Sequence, residues 1–313
     1  MALYDLVTLK RSLQQKFDIT PTLRALSDLQ TQIANIEKEV DDLSDHHRLY
    51  IQNLVKTCDQ FAELFAGPSQ DLTDKIAEID AEIAQTTHNL FAGNYDLENI
   101  DPKPVWLREH RRLNISSDVE MQVKQRLLLH TNWRYPSLEI GCQDGDWTQY
   151  LVAADPLYVM DRSTEFLDAT SGRFTPEYQR RMRKYPLVNH DLSALPENQF
   201  AFVFSWNYFN YVSLDTMKQY LQQIMQLLRP GGVFMFTFND GDTPAGAGMA
   251  EHFARTYMPS SMLTPMCESL GYITNPVTDL GPGITWLEIH KPGDLQTIKA
   301  HQALGAIRSR ISG

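Results

Sequence analysis

Cysteine is scarce in this chain, and so is positive charge. Three cysteines in 313 residues, Cys58, Cys142 and Cys267, lie far apart with no Cys-x-x-Cys spacing. That excludes a disulfide framework and a thiolate zinc site, and it points to a reducing, cytoplasmic setting. Twenty-eight Lys and Arg stand against 39 Asp and Glu, a formal net charge of −11. A nucleic-acid partner, which selects clustered basic residues, is therefore not expected. No apolar run approaches the roughly 18 residues of a membrane span. The start MALYDLVTLKRSL has no cationic segment ahead of an apolar core, so no export signal and no membrane partner are expected. No Gly-Lys-Ser or Gly-Lys-Thr occurs, which excludes a Walker loop, and no His, Cys, Asp or Glu cluster has the spacing of a metal site.

What is present first is a heptad. Leu26, Ile33, Val40, His47, Leu54 and Phe61 form one seam row, and Leu29, Ile36, Leu43, Tyr50, Thr57 and Leu64 form the second. The narrow stripe predicts a coiled coil in which Leu26 to Leu64 makes a homo-oligomer or meets an assembly partner. Dimer, trimer and intramolecular hairpin all stay open. His47, Tyr50 and Thr57 read as a locally loosened seam. Gly67-Pro68 is expected to end this helix. A second helix, capped by Ser69 or Asp71, then carries Leu72, Ile76, Ile79, Ile83 and Leu90, either folding back or continuing the rod. This arm, residues 1–92, holds most of the acidic excess, with acids outnumbering bases roughly two to one up to Ile100. A linker at 93–115 follows, signalled by the Gly, Asn, Asp and Pro of FAGNYDLENIDPKP. It contains VWLREHRRL, Val105 to Leu113, either a lid or an amphipathic helix.

From Ser116 onward apolar strand-like runs alternate with helical ones: SLEIG, then Trp147 to Ala153; LYVMD, then the helix of Phe166; YPLVNHD; FAFVFSW, then Leu214 to Leu228; and VFMFTF. The alternation predicts an α/β, Rossmann-like, mainly parallel sheet covered on both faces by helices, over residues 116–293. In such sheets ligands bind at the carboxyl ends of the strands. Those ends here are Glu139-Ile140-Gly141-Cys142-Gln143-Asp144-Gly145, Asp161, Asp191, and Ser205-Trp206-Asn207-Tyr208. Asp161 stands twenty residues beyond Gly141, where a carboxylate can accept both hydroxyls of a ribose. A dinucleotide turn wants glycine at Gln143 and Asp146, and a pyrophosphate would meet Glu139, Asp144 and Asp146 with no cation expected nearby. A cofactor with a cationic end suits the turn better. S-adenosylmethionine, with its sulfonium and ammonium groups, is such a cofactor.

In these residues the chain resembles the class I S-adenosylmethionine-dependent methyltransferases, across Ser116 to Pro292. The resemblance implies that Glu139, Gly141, Gln143 and Gly145 form the turn cradling the methionine part of the cofactor. It further implies that Asp161 binds the ribose, and that Asp191 with Leu192 recognises the adenine edge. LLRPGGVFMFTF resembles the family's helix, tight turn and fifth strand, and TPMCESLGY to ITWLEIHK resembles its final helix and strands six and seven, the last inserted antiparallel. A seven-stranded sheet is the implied count. Gln143 departs from the family's central glycine, and Ala201 departs from the acid that usually precedes the fourth strand.

Methyl transfer is an in-line displacement, so the protein chiefly aligns a nucleophile and excludes water. Asn207 and Tyr208 are the expected catalytic residues, orienting an acceptor. Ser205 and Trp206 are expected at the cofactor, Trp206 beside the adenine, and Tyr211 as wall. His252 reads as a surface histidine, with a base role as the alternative, and Cys142 as structural. SWNY lacks the prolines of Asn-Pro-Pro-Tyr, and no Pro-Cys pair occurs, which excludes the two base-methylating signatures. The leading expectation is a methyltransferase acting on a small molecule or protein side chain, oligomerised by its arm. The alternative is a structural or adaptor protein, for instance of a viral particle, using the domain as scaffold. A nicotinamide oxidoreductase is disfavoured by the turn. The tail, residues 294–313, is expected to be a basic terminal helix.

Overall fold

The computed structural model describes residues 2–16, 18, 20–39, 45–104, 115–281 and 283–293. It divides into two compact units, 1–88 and 89–313. In the first, α1 (Leu3–Lys16), α2 (Thr20–Glu39) and the long α3 (Asp45–Glu98) are the helices among the described residues. Ile33 of α2 packs with Ile51, Val55 and Cys58 of α3. Gln30 donates to Asp59 at 2.9 Å, and Lys10 pairs with Asp80 at 2.5 Å.

Ile33 is a seam residue, but on α3 this buried stripe is not the heptad seam. Leu29, Leu54 and Phe61 remain 45%, 37% and 50% exposed, while Val40 and Leu43 lie outside the described residues. Ile51, Val55 and Cys58 repeat with the same four-and-three spacing one residue away. Turning α3 by about 100° about its axis exchanges one stripe for the other. The expected stop at Gly67-Pro68 is also corrected, since α3 runs through it without a break. Proline deletes one N–H from the ladder, and an apolar face that resumes beyond it, with Ile79 buried, keeps the helix going.

The final turns of α3 belong to the second unit, so the expected linker at Phe91 is helical as far as Glu98. Asn94 fastens it there: its Nδ2 donates to the Tyr257 carbonyl at 3.0 Å and its Oδ1 accepts the Tyr257 N–H at 2.7 Å. Glu98 accepts the backbone N–H of Ser213. Gly93 permits this approach, because a Cβ there would stand 2.6 Å from the Phe253 ring. The expected lid at Val105 to Leu113 and the tail at 294–313 lie outside the described residues.

The domain sheet contains β1 (Ser137–Ile140), β2 (Leu157–Asp161), β3 (Met182–Pro186), β4 (Phe200–Ser205), β5 (Leu228–Phe238), β6 (Ile273–Thr274), β7 (Thr278–Asp279) and β8 (Thr285–His290). Its order is β3-β2-β1-β4-β5-β8-β6, with two-residue β7 also on β8, and β8 alone runs against the others. Eight strands replace the expected seven because of that short β7. Strands such as LYVMD and FAFVFS are buried on both faces, as a covered parallel sheet requires. One face packs Phe200, Phe209, Tyr220, Phe234 and Phe236, and the other packs Val123, Leu127, Phe202, Phe204 and Met235.

Two local expectations fail. The third strand is MRKYP rather than YPLVNHD: Pro186 has no N–H to extend the ladder, and Asn189 and His190 adopt positive φ. No α-helix forms over Trp147 to Ala153, which holds a single 3-10 turn, Thr148–Tyr150. Thr148 is committed to Glu139, and Trp147 and Leu151 pack into the core that also receives Val123 and Leu127. Those last two come from α4 (Ser117–His130), started by the Ser116 hydroxyl, which accepts the Val119 N–H at 3.3 Å.

Arg126 of α4 grips Glu288 of β8 with two nitrogens, and the Glu288 carboxylate is buried. Arg126→Ala is expected to lower stability by about 3 kcal/mol, because it strands a buried charge. Urea denaturation measures this, and a loss below about 0.5 kcal/mol would show the pair to be dispensable.

Candidate functional site

The turn after β1 is built by backbone conformations that side chains rarely adopt. Gly141, Gln143 and Gly145 have φ of +75°, +52° and +89°. Gln143 thus takes a left-handed conformation that glycine would take freely. Its N–H donates to Asp161 Oδ2 at 3.0 Å, and its carbonyl accepts the Thr170 hydroxyl at 2.8 Å. The departure from glycine therefore leaves the course of the turn intact. Gly145 lies beneath α5 (Thr164–Gly172), where an added Cβ would meet Thr170 and Arg173 at 3.2 Å.

Asp161, at the carboxyl end of β2, accepts the Ser163 N–H at 2.9 Å on its other oxygen. Glu139 lies beneath the turn, bonded by the Thr148 hydroxyl at 2.6 Å. These two carboxyls are 2% and 3% exposed. Among the described residues neither is in an ion pair, although Arg162 lies close enough to act on Asp161. Burial raises both pKa values: Glu139 is pushed up to about 8, helped by the nearby Asp161 charge and opposed by the Thr148 bond. In Asp161 the same burial is partly offset by the N–H groups of Ser163 and Gln143. A buried acidic pair behind a glycine-type turn fits a cationic, ribose-bearing group, since each carboxylate keeps lone pairs for a further donor.

Other expected residues are placed differently. Asp144 and Asp146 are not without a cation: Arg173 pairs with both, at 2.8 and 2.9 Å. That removes one argument raised against a phosphate, leaving the missing glycines as the reason to disfavour a dinucleotide. Asp191 is exposed, with its oxygens on the Ser193 N–H and hydroxyl. Leu192 is buried, and its N–H donates to Gln223 Oε1 at 2.7 Å rather than standing open to an adenine. Ser205 ties β4 to β1 through the Ile140 carbonyl at 2.8 Å. Trp206 is buried against Trp147, ring centroids 4.8 Å apart, so it is a core residue. Cys142 is buried and its thiol pushed up by burial, in keeping with a structural role. His252 is exposed, its Nδ1 at 2.9 Å from the Gly248 carbonyl.

Asn207 has φ +57°; its N–H donates to Thr237 Oγ1 at 2.7 Å and its Oδ1 accepts from Asn210. Tyr208 lies on the turn itself: a Cβ on Gly141 would stand 2.7 Å from Tyr208 Cβ and Cδ2. Its hydroxyl meets Tyr220 Oη at 2.9 Å, and Tyr220 Oη meets His190 Nδ1 at 3.0 Å. Tyr220, His190, Arg173 and Gln223 were all missed by sequence reasoning. Each acts on a partner at least twelve residues away, and none sits at a strand end with a recognisable spacing.

The folded state holds the Glu139 proton more tightly than the unfolded chain, whose carboxyl titrates near 4.5. This contribution to stability is fully present below that value and is lost as pH rises towards about 8. The decline is on the order of a few kcal/mol. Glu139→Gln should flatten the dependence of the urea midpoint on pH between about 5 and 8. Equal slopes in the two proteins would contradict the burial of an uncompensated carboxyl.

A family model described as a methyltransferase domain matches residues 138–234. No curated protein matches the chain. Among solved structures it is similar to an S-adenosylmethionine-dependent methyltransferase from Mesorhizobium loti, at 14% identity over 55% of this chain and 98% of that one, with a TM-score of 0.47. A SAM-dependent methyltransferase from Aquifex aeolicus shares 14% identity over 61% and 99%, TM-score 0.47. A geranyl diphosphate C-methyltransferase from Streptomyces coelicolor A3(2) shares 10% identity over 55% and 79%, TM-score 0.46. The matched span runs from the first strand, through the glycine turn and Asp161, into β5, and the sheet around it has the reversed strand next to β5 that the sequence resemblance implies. Residues 138–234 thus match a methyltransferase-domain model, and the mainly parallel sheet they contribute to has a Rossmann-like topology.

Proposed function

We propose that the domain binds S-adenosylmethionine at the Gly141 turn and transfers its methyl group to a small molecule or a protein side chain. The observation that carries this reading is the buried Glu139 and Asp161 pair behind a turn of three positive-φ residues. When bound, the cofactor supplies an electrophilic methyl on a sulfonium. Asp161 would accept the ribose hydroxyls with lone pairs left free by Gln143 and Ser163. The turn backbone would hold the methionine end, whose positive charge would draw off the proton that burial keeps on Glu139. Asn207, whose Oδ1 is taken by Asn210, has its Nδ2 to orient an acceptor. Tyr208 contributes its ring rather than its hydroxyl, and the aromatic wall excludes water.

One observation favours the second reading, a scaffold or adaptor without catalysis. The chain leaving the turn makes one 3-10 turn in place of a helix, and so lacks a helical N-terminus to meet an anionic group. Titration calorimetry of the full chain separates the two. S-adenosylmethionine and S-adenosylhomocysteine are expected to bind, and Asp161→Asn to weaken both at least tenfold, about 1.4 kcal/mol. No heat from either compound at millimolar concentration would leave the adaptor reading.

The arm is the proposed means of self-association. Its support is that Leu29, Leu54 and Phe61, drawn from the two seam rows, are still exposed after α2 and α3 have packed within one chain. Sedimentation equilibrium is expected to give a multiple of the chain mass, and Phe61→Asp to reduce it to one chain. A monomeric native protein would refute the assembly.

A further inference from the structure

Tyr208 does not hold its place on the Gly141 turn alone. Its phenol is the first link of a chain that leaves the turn, passes through a buried tyrosine on the neighbouring helix, and ends on a half-buried histidine. Tyr220 belongs to α6 (Leu214–Leu227), and one turn further along Gln223 donates to the His190 carbonyl at 2.9 Å and accepts the Leu192 N–H. Helix α6 therefore fixes both the backbone and the imidazole of the loop after β3, and His190 is held in a left-handed conformation, φ +59°.

The chain has a preferred direction. Each phenol carries one proton, and the burial of Tyr208 and Tyr220 pushes both hydroxyls well above the ordinary tyrosine range, so both stay neutral. If His190 Nδ1 carried the proton, Tyr220 would donate to Tyr208, and the Tyr208 proton would need an acceptor. Among the described residues Tyr220 is the one partner the Tyr208 hydroxyl has. A buried O–H with no acceptor is costly. With His190 neutral and its proton on Nε2, the bonds run from Tyr208 to Tyr220 to His190 Nδ1, and every proton of the chain is used.

We infer that Tyr220 and His190 are positioning residues, holding Tyr208 as the wall of the cofactor's methionine end through this directed chain. The inference rests on the methyltransferase reading and deepens it, since the ring they fix lies on Gly141. Protonating His190 makes Nδ1 a donor and reverses both phenolic bonds, which turns the Tyr208 proton out of the chain and loosens the wall. The charged groups facing His190 are Glu98 at the end of α3 and Arg162 after β2, which oppose one another. Arg162, Asp161 and Glu98 also face Tyr208. Asp191, next in sequence, is exposed and bonded to Ser193. Burial holds His190 below the ordinary histidine value, so the neutral form prevails at neutral pH.

The test is calorimetry of the full chain with S-adenosylhomocysteine between about pH 5 and 7.5, alongside the native His190 ring nitrogens observed by nitrogen NMR. Native protein is expected to lose affinity several-fold on acidification, with Nδ1 unprotonated at neutral pH. Tyr220→Phe keeps the ring and removes the link, and should bind about tenfold more weakly and lack the acid step that follows the His190 titration. His190→Ala should behave likewise, and His190→Gln, whose amide oxygen accepts from Tyr220 without titrating, should recover affinity and also lack the His190 step, while any dependence on Glu139 stays common to all forms. A protonated Nδ1, or a Tyr220→Phe protein with native affinity and a native acid step, overturns the inference while leaving the methyltransferase reading in place. Absence of binding in every form at every pH removes that reading, and this inference with it.

Discussion

A single carboxylate ties the turn after β1 and the start of α5 to the end of β2. Asp161 ends β2, and its oxygens take one N–H from the turn after β1 and one from the segment leading into α5. The Met160 carbonyl holds the Gly141 and Cys142 N–H groups, and the first Asp161 bond extends that hold to Gln143 in its left-handed conformation. Without the second, the start of α5, which lays Thr170 and Arg173 over Gly145, would lose its anchor to the sheet. The residue proposed to bind a ribose is thus also a residue that shapes the turn. Binding and structure cannot be varied independently there.

The electrostatics of the site divide by depth. Near the surface, Asp144 and Asp146 are balanced by Arg173. Beneath the turn, Glu139 and Asp161 share a desolvated space, and the cation that acts there, Arg162, also donates to the Glu98 carbonyl at 2.7 Å. One cation serves two carboxylates, so charge at the rim is partly neutralised within the chain, and the buried carboxyls of the interior are left for an incoming positive group. A sulfonium or ammonium placed at the turn would meet an environment that already disfavours carboxylate ionisation, and binding would tend to draw the Glu139 proton off.

Those parts of the fold that depend on local sequence were legible in it. LYVMD, FAFVFS and VFMFTF announce buried strands because burial on both faces demands unbroken apolar runs, and Asp161 follows from position alone. The failures have a common cause in contacts distant along the chain. Trp147 to Ala153 has a helical composition, yet Thr148 bonds Glu139 and Leu151 enters a core shared with α4. The heptad in the arm is real as a pattern and its Ile33 is buried, but on α3 Ile51 and Cys58 replace Leu54 and Thr57 against it, because an adjacent stripe of equal spacing meets α2. Arg173 could not be foreseen from a turn twenty-seven residues earlier, nor could the alliance of Tyr208 with Tyr220 and His190.

The central claim is that the Gly141 turn and Asp161 form a ribose-bearing cofactor site, with Gln143 serving where glycine is usual. A crystal structure of the full chain grown with S-adenosylhomocysteine tests it most directly. The account predicts density for the ligand at the carboxyl ends of β1 and β2, both ribose hydroxyls on Asp161 and the amino-acid end along residues 141–145. A fully formed crystal at saturating ligand with these positions empty, or with the compound bound elsewhere, would contradict it.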